Sequence, residues 1–303
     1  MELKEKGGQR AGGAPARPIN RTGAFARLRS ALRHPGSFLV LVLVLAAALF
    51  TVSMLLFIIW HIVSNGIAFL KPSLFEFTYN SINVSLFPAL VTTFYATALA
   101  LAVSAPVGIL CAVYLVEYAK RGSRAVEAVR LATETLSGIP SIVYGLFGML
   151  FFVTALGWGY SLLAGTLTLS IMILPLIVRS TEEALLSVPD SYREASFGLG
   201  AGRLRTVFAI VLPSAAPGIL AGVILSIGRI VGETAALIYT AGTVAQIPPD
   251  VFASGRTLAI HMYVLSNEGL YTGQSYATAV VLLGVVFLLN ALSGLAAKKL
   301  TKG

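Results

Sequence analysis

Long apolar runs separated by short polar intervals dominate the pattern of this chain. A helix needs about 20 residues to cross a bilayer core about 30 Å thick, and six runs meet or approach that length. They cover residues 38–62, 86–115, 131–156, 160–178, 208–242 and 275–297. Because a backbone in lipid must satisfy its own polar groups, we interpret these runs as α-helices. The pattern predicts an all-α, polytopic membrane protein with about six transmembrane helices.

The third run contains residues that interrupt a helix. It includes the string LSGIPSIVYGLFG at residues 136–148. Gly138 and Pro140 are predicted to break or kink the helix there, since proline lacks a backbone donor and crowds the preceding turn. Gly145 and Gly148 expose backbone for close packing. The sequence leaves open whether this segment lines a pore or only packs against other helices.

The composition excludes a soluble domain with a polar surface. Charged residues are 12% of the chain, against a usual share of about 25%, and 56% of the residues are hydrophobic. The single cysteine, Cys111, lies within an apolar run and cannot form an intramolecular disulfide or supply a metal site. We interpret it as a small buried side chain.

The basic residues lie almost entirely on alternate loops. All but three of the 22 Lys and Arg residues fall in residues 1–36, 116–130, 179–207 and 298–302. The exceptions are Lys71, Arg229 and Arg256. Since positive charge accumulates on the cytoplasmic side, both termini and the interval 179–207 are predicted to be cytoplasmic. The high positive charge therefore indicates topology and not a nucleic-acid partner.

Residues 1–36 are rich in Gly, Ala, Pro and Arg and lack an apolar face. We interpret them as a disordered basic cytoplasmic tail, followed by a first transmembrane helix over residues 37–66. A signal peptide is disfavoured, because the apolar run is about 25 residues long and a signal-peptide core has about 7–15.

The interval EASFGLGAGRLRTVFAIVLP, residues 194–213, is too basic to lie in lipid. Ser191 and Glu194 are spaced as a capping box for a short helix. Glycines at positions 198, 200 and 202 permit a sharp turn into a second one. The pattern predicts a helix–turn–helix outside the bilayer. A capping role alone would account for Glu194 without any further function.

This interval resembles the coupling segment of ABC importer permeases, which is written Glu-Ala-Ala, three residues, Gly, nine residues, Ile-x-Leu-Pro. Only Ser196 departs from it, in place of the second alanine. The resemblance implies a type I ABC importer permease domain over residues 80–300, with a coupling segment at 182–213 that contacts a separate ATPase. The matching residues are Glu194, Ala195, Gly200, Ile210, Leu212 and Pro213.

Two charges, Arg229 and Glu233, interrupt the fifth apolar run. An ionisable residue at the bilayer centre costs about 2.5–3.5 kcal/mol on insertion scales. Four residues apart, the two are predicted to share one helix face and to neutralise each other in part. One interpretation is a structural ion pair that fixes helix packing. The other places the Arg229 guanidinium beside the path of a phosphate-like oxyanion, with Glu233 holding it when the path is empty.

Three strings, GIPSIVYGLFG, ILPLIVRSTEEALLSVPDSYREAS and GRIVGETAAL, resemble the permeases of phosphate-specific ABC importers, and among them the PstA type more than the PstC type. This resemblance implies that Arg229 and Glu233 take part in phosphate translocation. It extends the same implication to Arg179 and Glu182. That second pair has an alternative interpretation as a cytoplasmic anchor with a neighbouring acid.

The chain lacks the motifs of an enzyme. No GxxxxGK[ST] loop is present, so ATP is not bound by that mechanism, and the scattered histidines form neither H-E-x-x-H nor a nucleophile elbow. We expect no cofactor on this chain. The resemblance implies two PstB-like ATPase subunits that carry ATP and Mg, a PstC-like second permease, an external PstS-like phosphate-binding protein, inorganic phosphate and membrane lipid as partners.

Two alternatives stay open at this point. An ABC permease for another oxyanion, such as molybdate or sulfate, would fit the same coupling segment. An ion-driven secondary transporter would use Arg229 and Glu233 as a charge relay. The second is disfavoured, because such transporters often contain inverted repeats and none is detected here.

Overall fold

The computed structural model describes residues 35–120 and 122–300. Every regular element in that part of the chain is a helix, which confirms the all-α prediction. The chain divides into two compact units, one ending at Ile59 and the other beginning at Trp60. The predicted tail, residues 1–36, lies outside the described residues except for its last two.

Five helical segments of the described residues are long and apolar enough to cross a membrane, and a bent pair of helices makes a sixth if it is counted as one span. The prediction of about six transmembrane helices agrees with this range of five to six. The straight spans contain α1 (Pro35–Gly66), α2 (Phe87–Val113, continued as a π-helix over Tyr114–Tyr118), α5 (Leu162–Leu186), α7 and α8 (Arg203–Thr206 and Leu212–Val231, joined by a π-helix over Val207–Val211) and α11 (Thr272–Leu300).

The bent pair occupies the third apolar run. Helix α3 (Arg124–Ser137) ends just before Gly138, and α4 (Ser141–Gly148) continues as a π-helix over Met149–Ala155. The two axes differ by 102° at the break. The predicted interruption at Gly138 and Pro140 is confirmed, but the run 131–156 is not one transmembrane helix. Its first part belongs to α3, a helix that begins in the basic loop.

Three shorter helices complete the described part of the chain. They are α6 (Asp190–Gly198), α9 (Ala235–Ile238) and α10 (Leu258–Glu268). Two turns of 3₁₀-helix, Ile67–Phe69 and Pro72–Phe75, follow α1. The fifth run, 208–242, was predicted as one helix, and this is wrong: α8 ends at Val231 and α9 begins only at Ala235.

Helices α2, α5 and α8 form the centre of the unit that begins at Trp60. Their contacts are close because small residues stand where backbones approach. A methyl group at Gly108 would lie 2.8 Å from the Ile177 side chain, and one at Gly222 would lie 1.9 Å from the Ser180 hydroxyl. The Ser170 hydroxyl also donates to the carbonyl of Ala100 at 3.1 Å, which joins α5 to α2.

Two pairs of glycines spaced four residues apart, Gly218 with Gly222 and Gly228 with Gly232, have different surroundings in and just after α8. Gly218 and Gly222 face Ala184 and Ser180 of α5, as expected for a close helix contact. In the described part of the chain, nothing outside its own helix lies within 4 Å of a methyl group placed at Gly228. Only the first pair therefore serves packing within this subunit.

Candidate functional site

The predicted helix–turn–helix is present in the interval 190–206. Helices α6 and α7 are joined by a turn in which Gly200 has φ +82°, a conformation that favours glycine. The predicted capping box is wrong. Helix α6 begins at Asp190 after Pro189, so Ser191 lies inside the helix, and no side chain caps its first turn.

Ser196 explains how this chain accommodates its one departure from the motif. Its side chain is buried between α6 and α7, and Ser196 Oγ lies 2.8 Å from Thr206 Oγ1. The Thr206 hydroxyl also lies 3.2 Å from the carbonyl of Gly202. A hydroxyl at position 196 thus forms a hydrogen bond between the two short helices that an alanine side chain cannot make.

The other motif residues lie on or near the surface of this segment. Glu194, Ala195, Gly200 and Pro213 are exposed, while Ile210 and Leu212 are half-buried. Beside them, Leu199 at the turn is 89% exposed. Such exposed apolar side chains outside a predicted membrane span are typical of a protein-binding surface.

A cavity of about 370 Å³ opens next to this turn. Its lining combines the turn with the first residues of the following span: Ser196, Leu199, Gly200, Ala201, Arg205, Ala209 and Ile210. The motif residues Gly200 and Ile210, ten positions apart in the sequence, therefore meet at one concave surface.

Arg229 and Glu233 do not share a helix face. Arg229 lies in the last turn of α8 and is exposed, whereas Glu233 follows the helix end and is buried. The ion pairs found among the described residues do not include this pair. Instead, Glu233 Oε1 accepts a hydrogen bond from the backbone N–H of Ala236 at 3.1 Å. Glu233 therefore satisfies a free donor at the start of α9.

The exposure of Arg229 restricts its environment. A charge on the surface of a transmembrane helix avoids lipid and faces either protein or water. Arg229 also lies close enough to Tyr144 of α4 for an electrostatic interaction.

Tyr144 is a residue whose role the sequence did not indicate. Its buried hydroxyl donates to the carbonyl of Leu136 at 2.8 Å, across the break between α3 and α4. This bond gives the Leu136 carbonyl a second donor, because it also accepts from the backbone N–H of Ile139 at 3.1 Å. A hydroxyl four residues after Pro140 was the only signal for it in the sequence.

The two broken segments contact each other. A methyl group at Gly145 of α4 would lie 2.8 Å from the Cα atom of Ala236 in α9. Tyr144 closes one break and Glu233 stabilises the other, so the polar backbone at both is partly satisfied within the subunit. Irregular backbone at membrane depth occurs where it is buried in protein or lines a water-filled cavity.

Arg179 and Glu182 have different partners. Arg179 Nε lies 3.2 Å from Glu183 Oε1, and both side chains are exposed. Glu182 instead forms an ion pair with Arg130 of α3. Both pairs lie toward the end of α5 that leads into the basic interval. The two residues thus belong to separate ion pairs, one of which joins α3 to α5.

A buried cluster lies outside the predicted spans, where α10 begins. The Arg256 guanidinium stands 4.6 Å from the centre of the Tyr79 ring, and the fully buried His261 meets the edge of the same ring. Burial and the neighbouring Arg256 lower the pKa of His261 to about 3. Among the described residues, no group of His, Cys, Asp and Glu is arranged to hold a metal ion.

Comparison with known proteins identifies the family. The family model described as "Binding-protein-dependent transport system inner membrane component" matches residues 104–302, which include the whole motif interval. The chain belongs to this family. It is a multi-pass membrane component of a transport system and not an enzyme.

Several relatives carry names of permeases. The chain is 33% identical to the phosphate transport system permease protein PstA of Yersinia pestis over 276 residues, covering 88% of this chain and 92% of the relative. It is 38% identical over 194 residues to the probable ABC transporter permease protein YqgI of Bacillus subtilis, and 40% identical over 189 residues to PstA 2 of Mycobacterium bovis. The last two matches cover 60% and 62% of this chain and 66% and 62% of those relatives.

Solved structures share the fold. A bacterial ABC transporter that imports the acidic polysaccharide alginate gives a TM-score of 0.65 at 15% identity, covering 90% of this chain and 99% of that one. The MetNI methionine ABC transporter, in an inward-facing conformation, gives 0.55 at 22% identity over 71% and 94% of the two chains. The predicted fold of an ABC importer permease is confirmed by these likenesses.

Proposed function

We propose that this chain is a permease subunit of an ATP-driven phosphate importer and forms half of its translocation path. The similarity to the PstA protein of Yersinia pestis is the observation that carries the proposal. A match over 88% of the chain necessarily includes residues 194–213 and both Arg229 and Glu233.

The coupling segment supplies the contact with the energy source. Two PstB-like ATPase subunits bind ATP and Mg, and one of them receives α6, α7 and the exposed side chain of Leu199. The concave surface at Gly200 and Ile210 forms part of this contact. Movement of the ATPases then moves α6, while this chain binds no nucleotide or cofactor itself.

The phosphate path runs beside Arg229. Arginine suits a phosphate oxyanion because its planar guanidinium offers several donors in a fixed fork. Its exposure in this subunit leaves those donors available to an anion or to a PstC-like partner permease across the path. A PstS-like protein delivers phosphate from outside.

The proposed arrangement has both termini in the cytoplasm. Counting the bent pair as one span gives six spans, an even number that returns the chain to the side on which it began. The basic intervals on alternate loops support the cytoplasmic side. The chain then lies in the cell (inner) membrane with the coupling segment facing the ATPases.

Uptake in proteoliposomes tests the proposal. The chain is purified with its partner permease and ATPase, and uptake of radiolabelled phosphate, sulfate and molybdate is compared in the presence of the binding protein. ATP-dependent uptake of phosphate alone is expected. Uptake of sulfate or molybdate instead would replace the substrate, and uptake driven by an ion gradient without the ATPase would reject the ABC mechanism.

A charge reversal tests the coupling segment separately. Glu194→Lys inverts an exposed charge on the face offered to the ATPase, so phosphate uptake is expected to fall to background while the two permeases still copurify. Glu127→Lys provides a matched control, because Glu127 is an exposed acid on α3, outside the motif. Normal uptake by Glu194→Lys would contradict the assignment.

A further inference from the structure

The residue before the motif, Arg193, contacts a distant transmembrane helix. Arg193 lies on α6, yet its guanidinium holds the carboxylate of Glu117 at the π-helical end of α2. Arg193 Nη2 lies 2.7 Å and Nε 3.1 Å from Glu117 Oε1. Both side chains are largely buried, with 15% and 8% of their surfaces exposed. The pair is therefore shielded from most solvent.

Arg193 also binds two carbonyls near the end of a third helix, and its Nη1 lies 3.2 Å from Asp190 Oδ1 on α6 itself. Nη1 donates to the carbonyl of Val188 at 2.9 Å, and Nη2 donates to the carbonyl of Leu185 at 3.0 Å. Leu185 lies in the last turn of α5, and Val188 lies in the short link between α5 and α6. One side chain thus joins α2, α5 and α6.

A second contact stands next to the first. The guanidinium of Arg203, on α7, lies 5.2 Å from the centre of the Tyr118 ring, within the range of a cation–π interaction. Glu117 and Tyr118 are consecutive residues at the end of α2. Both short helices of the coupling segment are therefore attached to the same point of that helix, although Arg193 is 76 positions from Glu117.

Helix α2 is itself packed firmly in the membrane unit. It contacts α5 through Gly108 and Ile177, and the carbonyl of Ala100 accepts the Ser170 hydroxyl. A displacement applied to the end of α2 would therefore reach the centre of the transmembrane core. Packed cores transmit displacement because they have few voids to absorb it.

We propose that the Glu117–Arg193 pair transmits the movement of the coupling segment to α2, in addition to the covalent route through α5 and α8. The inference rests on the proposed function, which supplies the ATPase that moves α6. A forked guanidinium fixes the angle between two helices better than an apolar contact, because its hydrogen bonds are directional. Glu117 and Arg193 are positioning residues and touch neither substrate nor nucleotide.

Two conservative variants test the pair in the complete complex. Arg193→Lys keeps the positive charge but loses the forked donors of the guanidinium. Glu117→Gln keeps the shape of the side chain but loses its negative charge. We measure phosphate transported per ATP hydrolysed in proteoliposomes with the binding protein present. This ratio is expected to fall about fivefold or more, the lower limit of typical coupling between sites, while ATPase activity persists. A merely structural role would lower the yield of complex and leave the ratio unchanged.

The matched controls are Arg124→Lys and Glu127→Gln. Both are exposed residues of α3, outside the ion pairs described above, and both leave the ratio unchanged if the effect is specific.

A distance measurement gives an independent readout. Spin labels at Tyr114→Cys on α2 and Ser191→Cys on α6, in a Cys111→Ala background, report whether the two helices move together on addition of ATP. The distance is expected to stay constant with the native pair and to change with Glu117→Gln.

The outcomes separate the two proposals. A native complex without ATP-driven transport would reject the proposed function. If the native complex transports phosphate, and both variants keep the same ratio of phosphate to ATP and the same label distance, only the role of the pair is rejected. If neither variant assembles, the pair serves folding and the inference is wrong.

Discussion

The hydroxyls of Ser196 and Thr206 lie 2.8 Å apart and join the two short helices of the coupling segment. The family motif has alanine at the first of these positions, so this chain adds a hydrogen bond where the motif offers none. Because the bond is buried, its loss lowers the free energy of unfolding more than the loss of a surface hydrogen bond does. The relative orientation of α6 and α7 therefore depends on the hydrogen bond between these two side chains.

Replacing either hydroxyl is expected to loosen the segment, but to different extents. Ser196→Ala restores the residue of the motif and leaves Thr206 its contact with Gly202, so a loss of about 1 kcal/mol is expected. Thr206→Val leaves the buried Ser196 hydroxyl without its partner, which costs about 1–3 kcal/mol. Hydrogen exchange of residues 190–207 in the purified complex measures both effects. Equal protection in the two variants would contradict the ranking.

Arg229→Gln is expected to abolish phosphate transport and to leave assembly with the partner permease intact. The guanidinium is exposed and lies outside the ion pairs of the described residues, so its removal leaves no buried partner unpaired in this subunit. Copurification measures assembly, and uptake in proteoliposomes measures transport. Loss of copurification would assign Arg229 to the permease interface instead.

Glu233 is expected to tolerate glutamine better than alanine. The side-chain carbonyl of glutamine can still accept from the Ala236 N–H, whereas alanine removes the acceptor and costs about 0.5–2 kcal/mol, as at other helix starts. Transport by Glu233→Gln near the native rate, with reduced thermal stability of Glu233→Ala, is the expected result. Loss of transport in both variants at unchanged stability would show that the charge itself serves translocation.

His261 is expected to make stability depend on pH. Its pKa is about 3 in the folded chain and about 6.5 when exposed, so the unfolded chain binds a proton first as the pH falls. The free energy of unfolding therefore keeps its full value above about pH 6.5. It falls as the pH is lowered from there toward pH 3, by up to about 1.4 kcal/mol per pH unit. Thermal unfolding between pH 7.5 and 5.5 is compared with that of His261→Gln, which flattens the curve. An equal slope in the two proteins would contradict this assignment.

Local features of the sequence predicted local features of the fold. Gly138 and Pro140 indicated the break between α3 and α4 because their effect depends only on neighbouring backbone. Gly200 indicated the turn for the same reason, since its positive φ is a property of one residue. The capping box at Ser191 was wrong because the N-cap is Pro189, two positions earlier, a difference that spacing alone does not resolve.

The charged residues were predicted less well. Spacing placed Arg229 and Glu233 on one helix face, but that inference assumed a continuous helix, and the helix ends between them. Arg179 and Glu182 lie on the continuous helix α5, but Arg179 pairs with Glu183 of that helix and Glu182 pairs with Arg130 of α3. Spacing along one helix cannot reveal a partner on another.

The sequence by itself determined the membrane class, the five straight spans and the helix–turn–helix with its family motif, because apolar length, charge distribution and glycine positions act within a few residues. The tertiary structure alone decided which charges pair. Glu117 meets Arg193 across 76 positions, and Arg130 meets Glu182 across 52, only because α3 and the π-helical end of α2 both pack against α5. Such contacts arise from packing between helices, which leaves no periodic trace in the chain.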